Sequence, residues 1–352
     1  MRILHFTWGL AQGGSENLAV DLANEQCRNH QVMILVANEA IDTVLAGRLH
    51  PSIKLLHLKR PEGSRNPLWI IRMLAAINLF RPDVVHSHAH NLAAIGRFIF
   101  APLVLTVHAN HIQLSKHSTR FSAICCISRT VEEDVKQRYS QLSPRLVANG
   151  VRTSAIAIRN TPPSRPLRAV QVSRLVHATK GQDLLIEALA ALNADCDVPI
   201  MTIDFIGSGA SQAFLQELAD KKNLSNSCNF LGAKSREEVF ANLQNYDLLV
   251  QPSRDEGFGL TVAEGMAAGI PVVVSDLPGP MEVIANGQHG YHFQSDSPEA
   301  LARTLKAAAS DIHGEKLMSR LSAARQFVID EYDLSHTSES YLRVYEEVTN
   351  VR

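Results

Sequence analysis

The chain has 352 residues, 45% of them apolar and 20% charged, with a net charge of −1 at neutral pH. It is too long for one ordinary domain and too apolar for a disordered chain, so two domains with sizeable cores are expected. Its five cysteines (Cys27, Cys125, Cys126, Cys196 and Cys228) lack C-x-x-C spacing, which argues against a disulfide scaffold or zinc ribbon and for a reducing cytosol.

The first residues read as a strand running into a Gly turn, too short and too polar for a signal-peptide core. Apolar runs predict strands at 3–7, 31–37, 54–58, 83–86, 103–107 and 123–127, with helices between them at 16–28 and 68–80. The most apolar run, 98–107, contains Pro102 and has half the length of a membrane span, so any membrane association is expected to be peripheral. Three prolines in the six residues 161–166 predict a linker, which divides the chain into domains at 1–160 and 161–331. Beyond it, strands are expected at 167–172, 201–206, 228–231, 247–250 and 271–275, with a helix at 182–192. Buried strands alternating with helices predict an α/β protein of two Rossmann-like, doubly wound domains facing a central cleft. Charge divides unevenly: residues 1–165 carry 19 Lys and Arg against 10 Asp and Glu, a balance of +9, and the remainder carries −10. The basic half is expected to meet an anionic ligand or surface.

In open α/β sheets, ligands sit beyond the C-terminal ends of the strands. Gly13 and Gly14, His108, Arg174, Gly207 and Glu256 all follow predicted strands, so all fall at that edge. The run Glu256-Gly-Phe-Gly-Leu-Thr-Val-Ala-Glu264 sets two carboxylates eight residues apart around a Gly-rich turn entering a helix. Free backbone N–H groups and the positive end of the helix dipole suit a diphosphate there. Glu264 is expected about two turns along that helix. Arg174 and Lys180 bracket a turn and suit the charge that develops on a departing diphosphate; the plainer reading is a pair of solvated cations. Gly13-Gly14 is read alone as an ordinary turn capped by Ser15; His108 alone fits equally a satisfied strand-end histidine and a group that bonds a sugar hydroxyl or carries a proton. Phe258 is expected to pack rather than stack. Two decoys stand out. His86-Ser-His88-Ala-His90 has metal-ligand alternation. Asp195-Cys-Asp197 matches a D-x-D, but it precedes a strand and so falls at the wrong end of the sheet. Gly207-Ser-Gly209 lacks the third glycine of a dinucleotide fingerprint.

Taken together, Gly13-Gly14-Ser15-Glu16, Thr106-Val107-His108, Ser173-Arg174-Leu175 with Lys180-Gly181, and the E-x7-E of Glu256 and Glu264 resemble the ordered motifs of the retaining GT-B glycosyltransferases of family 4 (group 1). The resemblance covers most of the chain. Ser173 departs from it, standing where many relatives have Gly. It implies the GT-B fold, with a last helix at 332–352 crossing back to the N-terminal domain. It implies transfer from a nucleotide diphosphate sugar, a UDP-sugar by preference, to a saccharide or polyprenyl-diphosphate-linked saccharide, as in bacterial surface polysaccharide synthesis. Glu256, His108, Arg174 and Lys180 would carry the chemistry, with Glu256 on the donor sugar and Glu264 on the ribose. Gly13 and Gly14 would approach the diphosphate, Gly207 and Leu231 would border the base, and Gly257, Phe258, Gly259, Leu260 and Thr261 would line the phosphates. No metal, separate cofactor or nucleic acid is expected. The location would be cytoplasmic, peripheral on the inner membrane through Lys59, Arg60 and Arg65 near Trp69, and Lys116 and Arg120. The alternatives are another GT-B reaction, such as a nucleotide-sugar epimerase or phosphorylase, and a non-catalytic nucleotide-sugar-binding module.

Overall fold

A computed structural model describes residues 1–11, 13–194 and 198–350. The Asp195-Cys-Asp197 decoy lies outside the described residues. The chain forms two compact units, Met1–Gly150 with the segment from Leu334 onward, and Val151–Asp333.

The first unit is built on seven parallel strands, β1 (Arg2–Thr7), β2 (Gln31–Asn38), β3 (Lys54–Arg60), β4 (Val84–Ser87), β5 (Leu103–Val107), β6 (Ala123–Cys126) and β7 (Arg145–Leu146), in the order β3-β2-β1-β4-β5-β6-β7. The central strands are apolar on both faces and buried on both, as helices cover each side. The last helix, Leu334–Asn350, turns Leu334, Thr337, Tyr341, Val344, Tyr345 and Val348 inward at helical spacing. Tyr341 and Tyr345 are fully buried in this unit's core.

The second unit repeats the plan with six parallel strands, β8 (Leu167–Val172), β9 (Met201–Ile206), β10 (Cys228–Gly232), β11 (Leu248–Gln251), β12 (Val272–Ser275) and β13 (Tyr291–Phe293), in the order β10-β9-β8-β11-β12-β13. In each sheet the order reverses once, between β1 and β4 and between β8 and β11, which opens a crevice beyond the strands' C-terminal ends.

The strand expectations agree with these elements to within a residue or two, apart from β7 and β13. These edge strands have two and three residues, too few to show a period. The division between units differs from the expected one. It falls at Gly150, not in the Pro-rich segment, because residues after 150 are stitched into the second unit. Val151 N–H donates to the Tyr332 carbonyl at 2.8 Å and Arg159 N–H to that of Ala268 at 2.9 Å. The Arg159 guanidinium pairs with buried Asp247, whose carboxylate also accepts from Ser164 N–H.

Candidate functional site

The chain leaves β8 at Ser173 and β11 at Pro252, at the reversal point of the second sheet. The two loops touch backbone to backbone. Gly181 has φ +63°, and a Cβ there would lie 1.9 Å from the Pro252 carbonyl oxygen, so no larger residue fits. Arg254 fastens the contact: its N–H donates to the Thr179 carbonyl at 2.8 Å, and its guanidinium donates to the His177 carbonyl and to Asp183, each at 2.8 Å. This places Lys180 Nζ 2.9 Å from Glu256 Oε2. Gln251 Nε2 donates to the same oxygen at 2.6 Å, and Thr261 Oγ1 donates to Gln251 Oε1 at 2.8 Å.

Gly259, at φ +108°, precedes the helix Leu260–Ala267. The first N–H groups of that helix, at Leu260 and Thr261, have no intrahelical acceptor, and they stand at the dipole's positive end. Glu264 is the fifth residue of the helix, one turn in rather than two, because Glu256 to Gly259 are turn and not helix. It is 5% exposed, and Arg236 Nη2 donates to its Oε1 at 2.9 Å. Phe258 is buried edge-on against Tyr332, with ring centroids 5.2 Å apart. Its side chain packs, as expected, which leaves only its backbone for a ligand. Arg174 is exposed, and its guanidinium bonds no other described residue. Gln182 Nε2 donates to the Arg174 carbonyl and to Ser173 Oγ, each at 2.9 Å, so the serine at this position joins the loop's hydrogen bonding. Gly207, at φ +143°, comes so close to Ser173 that a Cβ would meet the Ser173 carbonyl oxygen at 1.9 Å. Leu231 follows Phe230, which stacks on Phe205, and is 41% exposed.

In the first unit, Gly13 is the N-cap of the helix Gly14–Gln26 and gives it no side-chain cap. Ser15 does not cap; its Oγ donates to Glu16. His108 follows β5 and joins His5, His86 and His88 in a packed cluster. His5 and His86 are buried neighbours across β1 and β4. His88 Nδ1 lies 3.1 Å from His108 Nε2, and His88 Nε2 lies 3.2 Å from His5 Nδ1. Burial pushes the His5 and His108 pKa values down to about 4. Burial, then the neighbouring rings, hold His86 and His88 well below the ordinary histidine value. His90 leaves the run, and its Nδ1 accepts from Ser115 N–H at 3.0 Å. Nitrogens of His5, His86 and His88 lie within 4.8 Å of one another, a metal-compatible grouping. Yet both nitrogens of His86 already have partners, Thr106 Oγ1 at 2.7 Å and Tyr345 OH at 2.6 Å.

Comparison with known proteins decides the family. Residues 155–326 match the model described as glycosyl transferases group 1, and residues 12–155 match glycosyltransferase family 4. The chain belongs to the group 1 glycosyltransferases. It is 27% identical to a glycogen synthase of Mycobacterium tuberculosis, over 78% of this chain and 71% of that one. It is 24% identical to a GDP-mannose:cellobiosyl-diphosphopolyprenol alpha-mannosyltransferase of Xanthomonas oryzae, over 96% and 94%. The crystal structure of Anabaena Alr3699/HepE in complex with UDP and glucose superimposes with a TM-score of 0.79 at 19% identity, covering 98% of this chain and 99% of that one. The fold class is α/β, GT-B.

In this group 1 glycosyltransferase the structure brings Lys180, Glu256 and Thr261 together, with Glu264 one helical turn beyond. Three site residues escaped sequence reasoning. Gln251 and Arg254 flank the strand end and carry no motif. Arg236 follows Ser235, whose reciprocal capping with Glu238 is legible as Ser-x-x-Glu, but nothing in that motif announces a partner for Glu264.

Proposed function

We propose that the chain transfers a sugar from a nucleotide diphosphate sugar, with a UDP-sugar favoured, to a hydroxyl of a saccharide or lipid-linked saccharide, with retention. The observation that carries this is the Lys180–Glu256 pair at the sheet's reversal point, beside an uncapped helix N-terminus. An ion pair with side chains about one-fifth exposed is poised to exchange partners. In the proposal, Lys180 and Arg174 turn to the diphosphate and Glu256 accepts from donor-sugar hydroxyls. The C1–O bond to the diphosphate breaks, the acceptor oxygen bonds C1 on the same face, and the acceptor's proton passes to the departing phosphate oxygen. The cations stabilise charge that appears only as that bond breaks. Glu264, held by Arg236, is assigned to the ribose, and Gly207 and Leu231 to the base. No metal step is included, and chelation by EDTA should leave the rate unchanged. Replacement of Glu256 by Gln should slow transfer by about two to three decades in a folded protein. A wild-type rate would end the assignment.

A bacterial polysaccharide pathway with a polyprenyl-linked acceptor fits a second surface, in the first unit. The helix Leu68–Phe80 leaves Leu68, Ile71 and Leu79 exposed at 57%, 61% and 80%. Asn78 Nδ2 donates to the Phe98 carbonyl at 2.9 Å, tying the exposed Phe98 and Phe100 to the same region. A groove of about 470 Å³ beside this helix is lined by Leu56, Leu58 and Phe80, with Arg2, Lys54 and Arg72 among its lining residues. Apolar side chains interspersed with cations suit an anionic bilayer surface. Of the cations expected there, Arg60 donates to Asn38 and Ser64, and Arg120 to the Ala93 and Ala94 carbonyls. No helix among the described residues is long and apolar enough to cross a membrane. Co-sedimentation with anionic vesicles at low salt, lost in I71E/L79E, supports this surface. Equal binding by the variant, or none by the wild type, removes it.

A further inference from the structure

The histidines of the first unit form a file with a direction. Gln26 Oε1 lies 2.8 Å from His5 Nε2. An amide oxygen only accepts, so His5 carries its hydrogen on Nε2 and its Nδ1 is bare. That bare nitrogen faces His88 Nε2 at 3.2 Å, which therefore donates. His88 Nδ1 is then bare in turn and accepts from His108 Nε2 at 3.1 Å. His108 is left with a bare Nδ1 that bonds no described residue. The amide nitrogen of Gln26 is turned to Tyr345 OH at 3.5 Å, and that hydroxyl stands 2.6 Å from His86 Nδ1. A Tyr345 hydroxyl that donates to His86 can accept from Gln26, so both ends of the amide agree with the file's direction.

We propose that Gln26, His5 and His88 are positioning residues that hold His108 as a neutral hydrogen-bond acceptor, its Nδ1 reserved for a hydroxyl of the ligand. Phosphate and carboxylate oxygens bring no hydrogen and gain nothing there. The file does not carry protons away, because it ends at an amide oxygen that cannot hand one on. Burial reinforces the neutral state. His108 therefore selects and orients a hydroxyl and is not a general acid. The role of the hydroxyl rests on the glycosyltransferase reading; the direction of the file does not, and it is tested without substrate.

The test is long-range 15N–1H correlation of the histidine rings in the ligand-free protein at pH 7.5, with His108 assigned by its loss in His108→Gln. The expected result is a hydrogen on Nε2 and a bare Nδ1 at His108. In His88→Phe, which keeps a ring but no acceptor, that preference should vanish. In His88→Asn, whose side-chain oxygen can stand near the lost Nδ1, it should return. Turnover of a sugar donor should follow, falling roughly tenfold in the Phe variant, the worth of one hydrogen bond, and recovering to within about threefold in the Asn variant. A hydrogen on Nδ1 of wild-type His108 overturns the proposal, and this spectrum decides even if a variant fails to fold. An unchanged His108 tautomer in His88→Phe overturns it as well, whatever happens to turnover.

Discussion

The two sheets share one strand order, reverse at equivalent places, and set different chemistry there. At the β8–β11 crevice the side chains are charged and paired, Lys180 with Glu256 and, one turn further along the helix, Arg236 with Glu264. At the β1–β4 crevice they are neutral imidazoles joined in a file. The contrast shows what the fold supplies and what the residues supply. The strand order gives a place where loops converge; the choice of ion pairs or neutral rings decides whether that place suits a phosphate or a hydroxyl. Ion pairs can trade partners with an incoming anion. Neutral rings give direction without asking for charge.

Breaking the charged side should cost most. In Arg236→Leu, Glu264 is left buried without this partner, and removing one member of a buried pair typically costs about 3–5 kcal/mol. Urea unfolding should show the loss, and Glu264→Gln in the same background should recover part of it. A variant as stable as wild type would show that other contacts satisfy Glu264. A smaller effect is expected at Gly181→Ala. The positive φ and the approach to the Pro252 carbonyl strain any side chain, at about 1–3 kcal/mol, and nucleotide binding should weaken as the Lys180 loop shifts. Calorimetry that finds unchanged affinity and stability would contradict the backbone contact.

The neutral side should respond to acid. The folded-state pKa of His5 and His108 lies near 4, below the ordinary 6.5. Between those values the unfolded chain binds more protons than the folded one, so stability rises with pH and is lost as pH falls from 6.5 toward 4. Each such histidine contributes at most about 1.4 kcal/mol per pH unit. His5→Gln, at a 1% exposed position, should flatten the dependence measured by urea midpoints at pH 7, 6 and 5. An equal slope in the variant would mean that His5 titrates normally.

Much of this was legible in the sequence, and the losses have physical causes. Strands of four or more buried residues announce themselves as apolar runs; β7 and β13, at the sheet edges, do not. Pro-rich composition at 161–166 pointed to a linker, but the hydrogen bonds of Arg159 and Asp247 lie between residues far apart in sequence and make that segment part of a unit. Motif residues Lys180, Glu256 and Glu264 could be read singly. Arg236, the partner of Glu264, could not, because a pairing across 28 residues leaves no local pattern; nor could Arg254, which ties the Lys180 loop to the β11 loop through Asp183, 71 residues away. His5 was legible only as a strand residue, and its place in the file depends on the β1–β4 register.

The proposed function requires that the charged crevice bind a nucleotide diphosphate. Isothermal titration of UDP, GDP and ADP into wild type, Arg174→Ala, Lys180→Ala and the double variant tests this most directly. At least one nucleotide should bind wild type, and each single variant should weaken it. The double variant should lose less than the sum of the two, because in the proposal both cations serve one diphosphate. Binding that is unchanged in the double variant, or no binding of any of the three by folded wild type, would contradict a diphosphate site in this crevice.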